Sequence, residues 1–164
     1  MTTLKADTRY ANARGAHSVP IEPENSIEGY VPLPPEYPAH GAAVMVVEGD
    51  VIVQLDLGFT LRELGATCVV TVTTGAQGLS ALDTHHFDCA LLDAGIGQRM
   101  ILDIGERLVS CRVPFALTNS YGAGLILPTP FEAIPILAKP FTQAMLERLI
   151  ATLLSPGCGM PKRI

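Results

Sequence analysis

Tryptophan is absent from this 164-residue chain, aromatic residues make up 5% of it, and charged residues only 16%. A core formed from it must therefore pack aliphatic side chains. Basic residues are also scarce: 11 Lys and Arg stand against 16 Asp and Glu, a net charge of −5. That balance leaves no footprint for nucleic acid or an anionic membrane surface, which select basic patches, so direct nucleic-acid binding is not expected. No apolar run approaches the roughly 20 residues of a membrane-spanning helix, and the first twenty residues lack the apolar centre of a signal peptide. The expectation is a soluble, cytoplasmic protein with no membrane partner. Cys68, Cys89, Cys111 and Cys158 lie far apart, with no C-x-x-C spacing. This argues against a zinc site and fits a reduced compartment, three of the four serving as small apolar residues in or beside hydrophobic runs.

An apolar fraction of 48% in a chain of this length suffices for one domain plus an appendage, without disulfides. Residues 1–40 read as a flexible arm, because Pro20, Pro23, Pro32, Pro34, Pro35 and Pro38 interrupt any regular element. A docking role for the arm would use Ile27, Tyr30, Val31, Leu33 and Tyr37 as anchors. The domain spans 41–154, and residues 155–164, with Pro156, Gly157, Gly159 and Pro161, read as a disordered tail.

Within the domain, short apolar runs alternate with longer stretches of helical period. The expected strands are 43–48, 67–72, 87–93, 113–118 and 134–138, without the polar alternation of a half-exposed sheet, as for strands covered on both faces. Helices are expected over 51–64, with Ile52, Leu55, Phe59 and Leu64 on one face, and over 74–84, with Ala76, Leu79 and Leu82 inward. Two more are expected over 100–109 and 141–154. Between 119 and 133, Gly122, Gly124, Pro128 and Pro130 leave room for about one helical turn. The predicted fold is α/β: a doubly wound, flavodoxin-like parallel sheet of five strands, ordered 2-1-3-4-5 by right-handed crossovers, with the fourth helix shortened or missing.

Four of the five runs share an ending. They stop at polar or charged residues: Glu48 and Asp50, Asp93, Thr118, and Lys139. In a parallel sheet these ends line one edge, the edge where open α/β sheets bind ligands. Three carboxylates at the crevice between strands 1 and 3 repel one another unless a cation offsets them. Hard oxygen ligands without His favour Mg²⁺ or Mn²⁺. Thr118 and Lys139 on the far side supply a hydroxyl and an ammonium, a receptor for a tetrahedral anion. The set suits phosphoryl transfer.

At these residues the chain resembles, over about residues 42–154, the receiver domain of two-component response regulators. Val46-Val47-Glu48 looks like that family's first-strand acidic motif, Leu91-Leu92-Asp93 like its phosphoacceptor strand, Thr118 like its switch residue and Lys139-Pro140-Phe141 like its Lys-Pro-Phe signature. Pro114 to Thr118 with Tyr121-Gly122 looks like the subgroup carrying a Phe-Ala-Thr-Gly-Tyr-Gly motif, altered around Asn119 and Ser120. The resemblance implies that Asp93 accepts a phosphoryl group from a sensor histidine kinase or phosphotransfer protein. It further implies that Glu48 and the Gly95 carbonyl hold Mg²⁺ beside Asp93, that Lys139 pairs with the phosphoryl oxygens and that Thr118 turns toward them; Asp50, one residue beyond the family's second acid, is a metal candidate from the carboxylate crevice alone. The output would be a changed surface for a downstream protein, and a homodimer is compatible with it. With no recognisable effector after Leu154, the expectation is a stand-alone receiver that catalyses only its own phosphorylation. Two positions depart from the family: its second adjacent acid is Gly49, and the aromatic three residues before its lysine is Ile136.

Other constellations are weaker. Thr74-Gly75 could open a phosphate-binding helix as in a flavodoxin, but the neighbouring aromatics that sandwich a flavin are missing and Thr74 is more simply an N-cap. His85 and His86 diverge by about 100° on a helix and read as a solvated pair, and neither Ser80 nor Ser120 sits in a nucleophile-elbow context. The alternative from another class is a pseudo-receiver, the same fold serving as a phosphorylation-independent interaction module.

Overall fold

The structure is a computed structural model that describes residues 37–120 and 131–156, all within one compact unit. The arm positions Ile27, Tyr30, Val31 and Leu33, the Tyr121-Gly122 pair and the tail from Gly157 onward lie outside the described residues. Five strands, β1 (Ala43–Val47), β2 (Cys68–Val72), β3 (Cys89–Asp93), β4 (Phe115–Ser120) and β5 (Ile136–Lys139), form one parallel sheet in the order β2-β1-β3-β4-β5. Among the described residues four α-helices connect and close it: α1 (Val51–Glu63), α2 (Gly75–Thr84), α3 (Gln98–Cys111) and α4 (Gln143–Leu154). Between β4 and β5 the described residues hold one short 3-10 turn, Phe131–Ala133.

The unbroken apolar runs follow from burial on both faces. Along β1, Ala43, Met45 and Val47 join Leu92, Leu117, Ile101, Ile104 and Leu108 in one core layer. Val44 and Val46 point the other way, to Leu91, Ala116, Leu57, Leu61, Leu146 and Ile150. Each core side chain of this size contributes about 1.5–3 kcal/mol on burial. Side-chain caps start three of the helices. Asp50 accepts from the Ile52 and Val53 amides at the start of α1, Thr74 and Gln77 close a capping box on α2, and Thr142 caps α4.

The buried helix faces differ from those expected. Ile52 (75% exposed), Leu55 and Phe59 (66%) face solvent, and α1 buries Leu57, Gly58 and Leu61 instead, with Leu64 just beyond it. The physical reason is that α1 is apolar nearly all round, so i, i+3, i+4 spacing fits two faces equally well. On α2, Leu82 is buried and Leu79 half-buried against the core as expected, but Ala76 is exposed and Gly75, Gly78 and Ala81 are buried in its place. The glycines let helix and sheet approach closely, since a Cβ on Gly78 would lie 3.0 Å from Val47 Cγ2.

The last residues of the segment read as an arm are held against the domain. The Ala39 amide donates to the Leu64 carbonyl and the Gly41 amide to the Gly65 carbonyl, with Ala39 fully buried. Gly65 requires its glycine, because its φ of +99° is left-handed and a Cβ would crowd Tyr37 and His40. No helix among the described residues is long and apolar enough to cross a membrane.

Candidate functional site

The C-terminal ends of β1, β3, β4 and β5 bring Glu48, Asp93, Thr118 and Lys139 to one edge of the sheet. Asp93 ends β3, and Thr118 is its register partner on β4. Lys139 ends β5, and its peptide bond to Pro140 is cis. Strands lie about 4.8 Å apart, so from β5 the lysine must reach past the end of β4 to meet groups on β3 and β1.

It meets both. Lys139 Nζ donates to Glu48 Oε2 at 2.5 Å and to Asp93 Oδ1 at 2.9 Å. Glu48 is 2% exposed and its other oxygen, Oε1, accepts from the Asp50 backbone amide at 3.0 Å. The buried carboxylate is therefore satisfied on both oxygens, as its burial demands. The Asp93 side chain is 13% exposed, so it remains reachable from solvent. Its Oδ2 lies over Gly95, where a Cβ would come within 2.6 Å of it. Burial alone would lower the Lys139 pKa, but hydrogen bonds to Glu48 and Asp93 and attraction to both carboxylates outweigh it, and the net shift is upward. The lysine is a fixed cation at neutral pH.

Asp50 is not brought into this cluster by its carboxylate. Its Oδ1 accepts from Ile52 N at 2.8 Å and Val53 N at 3.3 Å, which commits it to the first turn of α1. The signal was present in the sequence: an Asp immediately before an apolar helical run is a favoured N-cap. Gly49 contributes no side chain, although a Cβ there would meet nothing nearer than the Thr73 carbonyl at 3.9 Å. Among the described residues no group of three His, Cys, Asp or Glu side chains is placed to hold a metal ion. As they stand, Glu48 and Asp93 do not fit a divalent cation, because an ammonium already lies between them and three of their four oxygens are engaged.

Two further features escaped the sequence reading. Gln54, one turn into α1, carries a buried Nε2 with no hydrogen-bond partner. The solvent-facing stripe Ile52, Leu55 and Phe59 begins two residues from Asp50 and runs away from the site along α1. Neither could be found by periodicity, since both depend on which face of α1 the sheet covers.

Sheet order, helix placement and polar strand ends define a doubly wound parallel α/β protein whose site lies beyond the carboxyl ends of the strands. Its fold is that of the response regulator receiver domains. A response regulator receiver protein from Burkholderia phymatum is 25% identical, with a TM-score of 0.60 over 74% of this chain and 99% of that one. The BeF3-activated conformation of SdrG from Pseudomonas melonis Fr1 is 27% identical, with a TM-score of 0.60 over 71% and 99%. The receiver domain of a sensor histidine kinase from Pseudomonas aeruginosa PAO1, described with a magnesium ion coordinated in the active site cleft, is 21% identical, with a TM-score of 0.57 over 70% and 98%. No protein-family model and no curated protein sequence matches the chain.

Proposed function

We propose that this chain is a cytoplasmic phosphorelay receiver that accepts a phosphoryl group on Asp93 from a phosphohistidine of a partner protein. The observation that supports the reading best is the junction of Asp93 with Lys139: a reachable carboxylate with one oxygen fixed by an ammonium and the other left toward the cleft. A lone pair of Asp93 Oδ2 forms the O–P bond while the N–P bond of the donor breaks, its electron pair remaining on the imidazole nitrogen. Lys139 faces the incoming negative charge from a site largely closed to water, where a fixed cation acts more strongly than in bulk solvent.

The acyl phosphate replaces one negative charge by nearly two and adds acceptor oxygens. Lys139 then has a competing partner to Glu48, and the Thr118 hydroxyl, one strand away, has an acceptor to turn toward. Both residues lie on β4 and β5, which pack against α4 through Ala116, Leu137 and Leu146. A shift there changes the surface offered to a downstream protein, the type of packing switch that phosphorylation commonly drives. The apolar stripe of α1 beside the site suits docking of the donor protein, because it exposes Ile52, Leu55 and Phe59 where a soluble surface usually carries charge.

A specific observation favours a second reading. Gly49 and the commitment of Asp50 to α1 leave the acidic end of β1 with one carboxylate at the site, as in a pseudo-receiver that binds partners without phosphorylation. Intact mass after incubation with acetyl phosphate and Mg²⁺, beside Asp93→Ala and a magnesium-free control, separates the two. A labile single adduct dependent on Asp93 supports the receiver; a folded protein that takes up no phosphoryl group supports the pseudo-receiver.

A further inference from the structure

We infer that Lys139 is the resident cation of this site, occupying the place between Glu48 and Asp93 that a divalent ion would need, so that the cluster is closed without metal and binds one only weakly. The inference deepens the reading of Asp93 as the centre of the functional site and rests on it. Glu48 and Asp93 carry two negative charges and Lys139 one positive, which leaves a single negative charge for any further cation. A carboxylate at position 49 would have left two. Asp50 cannot readily make up the difference, because its carboxylate holds two amides of the first turn of α1.

Geometry points the same way. Glu48 Oε2 and Asp93 Oδ1 converge on one nitrogen at 2.5 and 2.9 Å, while Glu48 Oε1 is turned to the Asp50 amide. A divalent ion entering between the two carboxylates must displace the ammonium, since two cations cannot share those oxygens without strong repulsion. The displaced lysine would lose its partners while remaining mostly buried, a cost that appears as lowered metal affinity. The occupant of the Glu48–Asp93 junction is thus set by competition between an internal ammonium and an external divalent ion. The external ion is handicapped by the absence of a side chain at Gly49.

The test is a titration of the full chain with Mn²⁺, read by loss of free-ion paramagnetic signal, and with Mg²⁺, read by thermal unfolding. Wild type, Gly49→Asp, Lys139→Met and Lys139→Gln are compared. We expect no saturation of wild type below millimolar Mn²⁺. Gly49→Asp, whose added Cβ has open space, should bind at least about tenfold more tightly, the equivalent of about 1.4 kcal/mol. Removing the competing ammonium should also tighten binding, and Lys139→Gln keeps a hydrogen-bonding side chain should the Met variant fail to fold. Saturation of wild type at micromolar Mn²⁺ would overturn the inference, and so would lysine variants that bind no better than wild type. Labelling of Asp93 by acetyl phosphate in the same samples reports separately on the receiver reading. Tightened metal binding in Gly49→Asp without labelling would sink that reading and leave the cation assignment standing.

Discussion

Replacing Lys139 by Met tests the ion cluster through stability alone, whatever the site does. The substitution keeps the length and apolar stem of the side chain but removes the charge that bridges Glu48 and Asp93. Breaking a buried pair by removing one partner costs about 3–5 kcal/mol, because the surviving charge is stranded. Here the cost is reduced on two counts: Glu48 keeps the Asp50 amide, and Asp93 is partly open to water. An expected loss of about 2–4 kcal/mol follows. At several degrees per kcal/mol for a domain of this size, this corresponds to a fall in Tm of about 10 °C. Urea unfolding at pH 7 measures it directly, and Lys139→Met combined with Glu48→Gln identifies the cause, since removing the stranded charge as well should recover part of the loss. In the single variant the Glu48 carboxylate is left buried without its cation, whereas the double variant has no charge to strand. The raised Lys139 pKa of the wild type sets its own pH dependence: the lysine's contribution is fully present below the ordinary lysine value of about 10.4 and is lost only as pH rises through the higher folded value. A deficit under about 1 kcal/mol that Glu48→Gln does not change would refute the assignment of Lys139 as the cation of a buried cluster, since surface pairs contribute no more than that.

Three other substitutions separate neighbouring roles. Asp50→Ala should cost about 1 kcal/mol in urea unfolding through loss of the α1 cap, with Asp93 labelling by acetyl phosphate preserved; abolished labelling at intact stability would instead place Asp50 in the chemistry. Gly95→Ala puts a Cβ within 2.6 Å of Asp93 Oδ2, so the carboxylate must rotate. Labelling should slow by about tenfold or more, given how steeply such reactions depend on positioning, and an unchanged rate in the time course of intact mass would show that Oδ2 is not the attacking oxygen. Phe59→Glu, at a position 66% exposed, should leave Tm and acetyl phosphate labelling unchanged while slowing transfer from a phosphorylated donor protein; equal transfer rates would remove α1 as the docking face.

Much of the fold was legible because its determinants are local or topological. Apolar runs at Ala43–Val47 and Cys89–Asp93, covered on both faces, require a parallel sheet between two helix layers. Right-handed crossovers then leave few orders, and the order β2-β1-β3-β4-β5 is the one observed. The meeting of Asp93, Thr118 and Lys139 followed from the same step, since polar residues that end parallel strands share an edge. Helix faces were less legible. Where α1 has apolar residues on every side, periodicity names no inner face: of the expected Ile52, Leu55, Phe59 and Leu64 only Leu64 is buried, and Leu57 and Leu61 take the places of the others.

Strand order, the polar groups at the strand ends and the missing carboxylate at position 49 are thus properties of residue type and spacing, readable before any folding. How the remaining oxygens are used came from the folded chain: Glu48 held by Lys139 from 91 residues away and by the Asp50 amide, Asp50 turned to its own helix, and Asp93 left with Oδ2 beside Gly95. The physical reason is that a charge at a sheet edge pairs with whatever the fold brings within about 3 Å, and that choice depends on side-chain reach across strands, which no periodicity encodes.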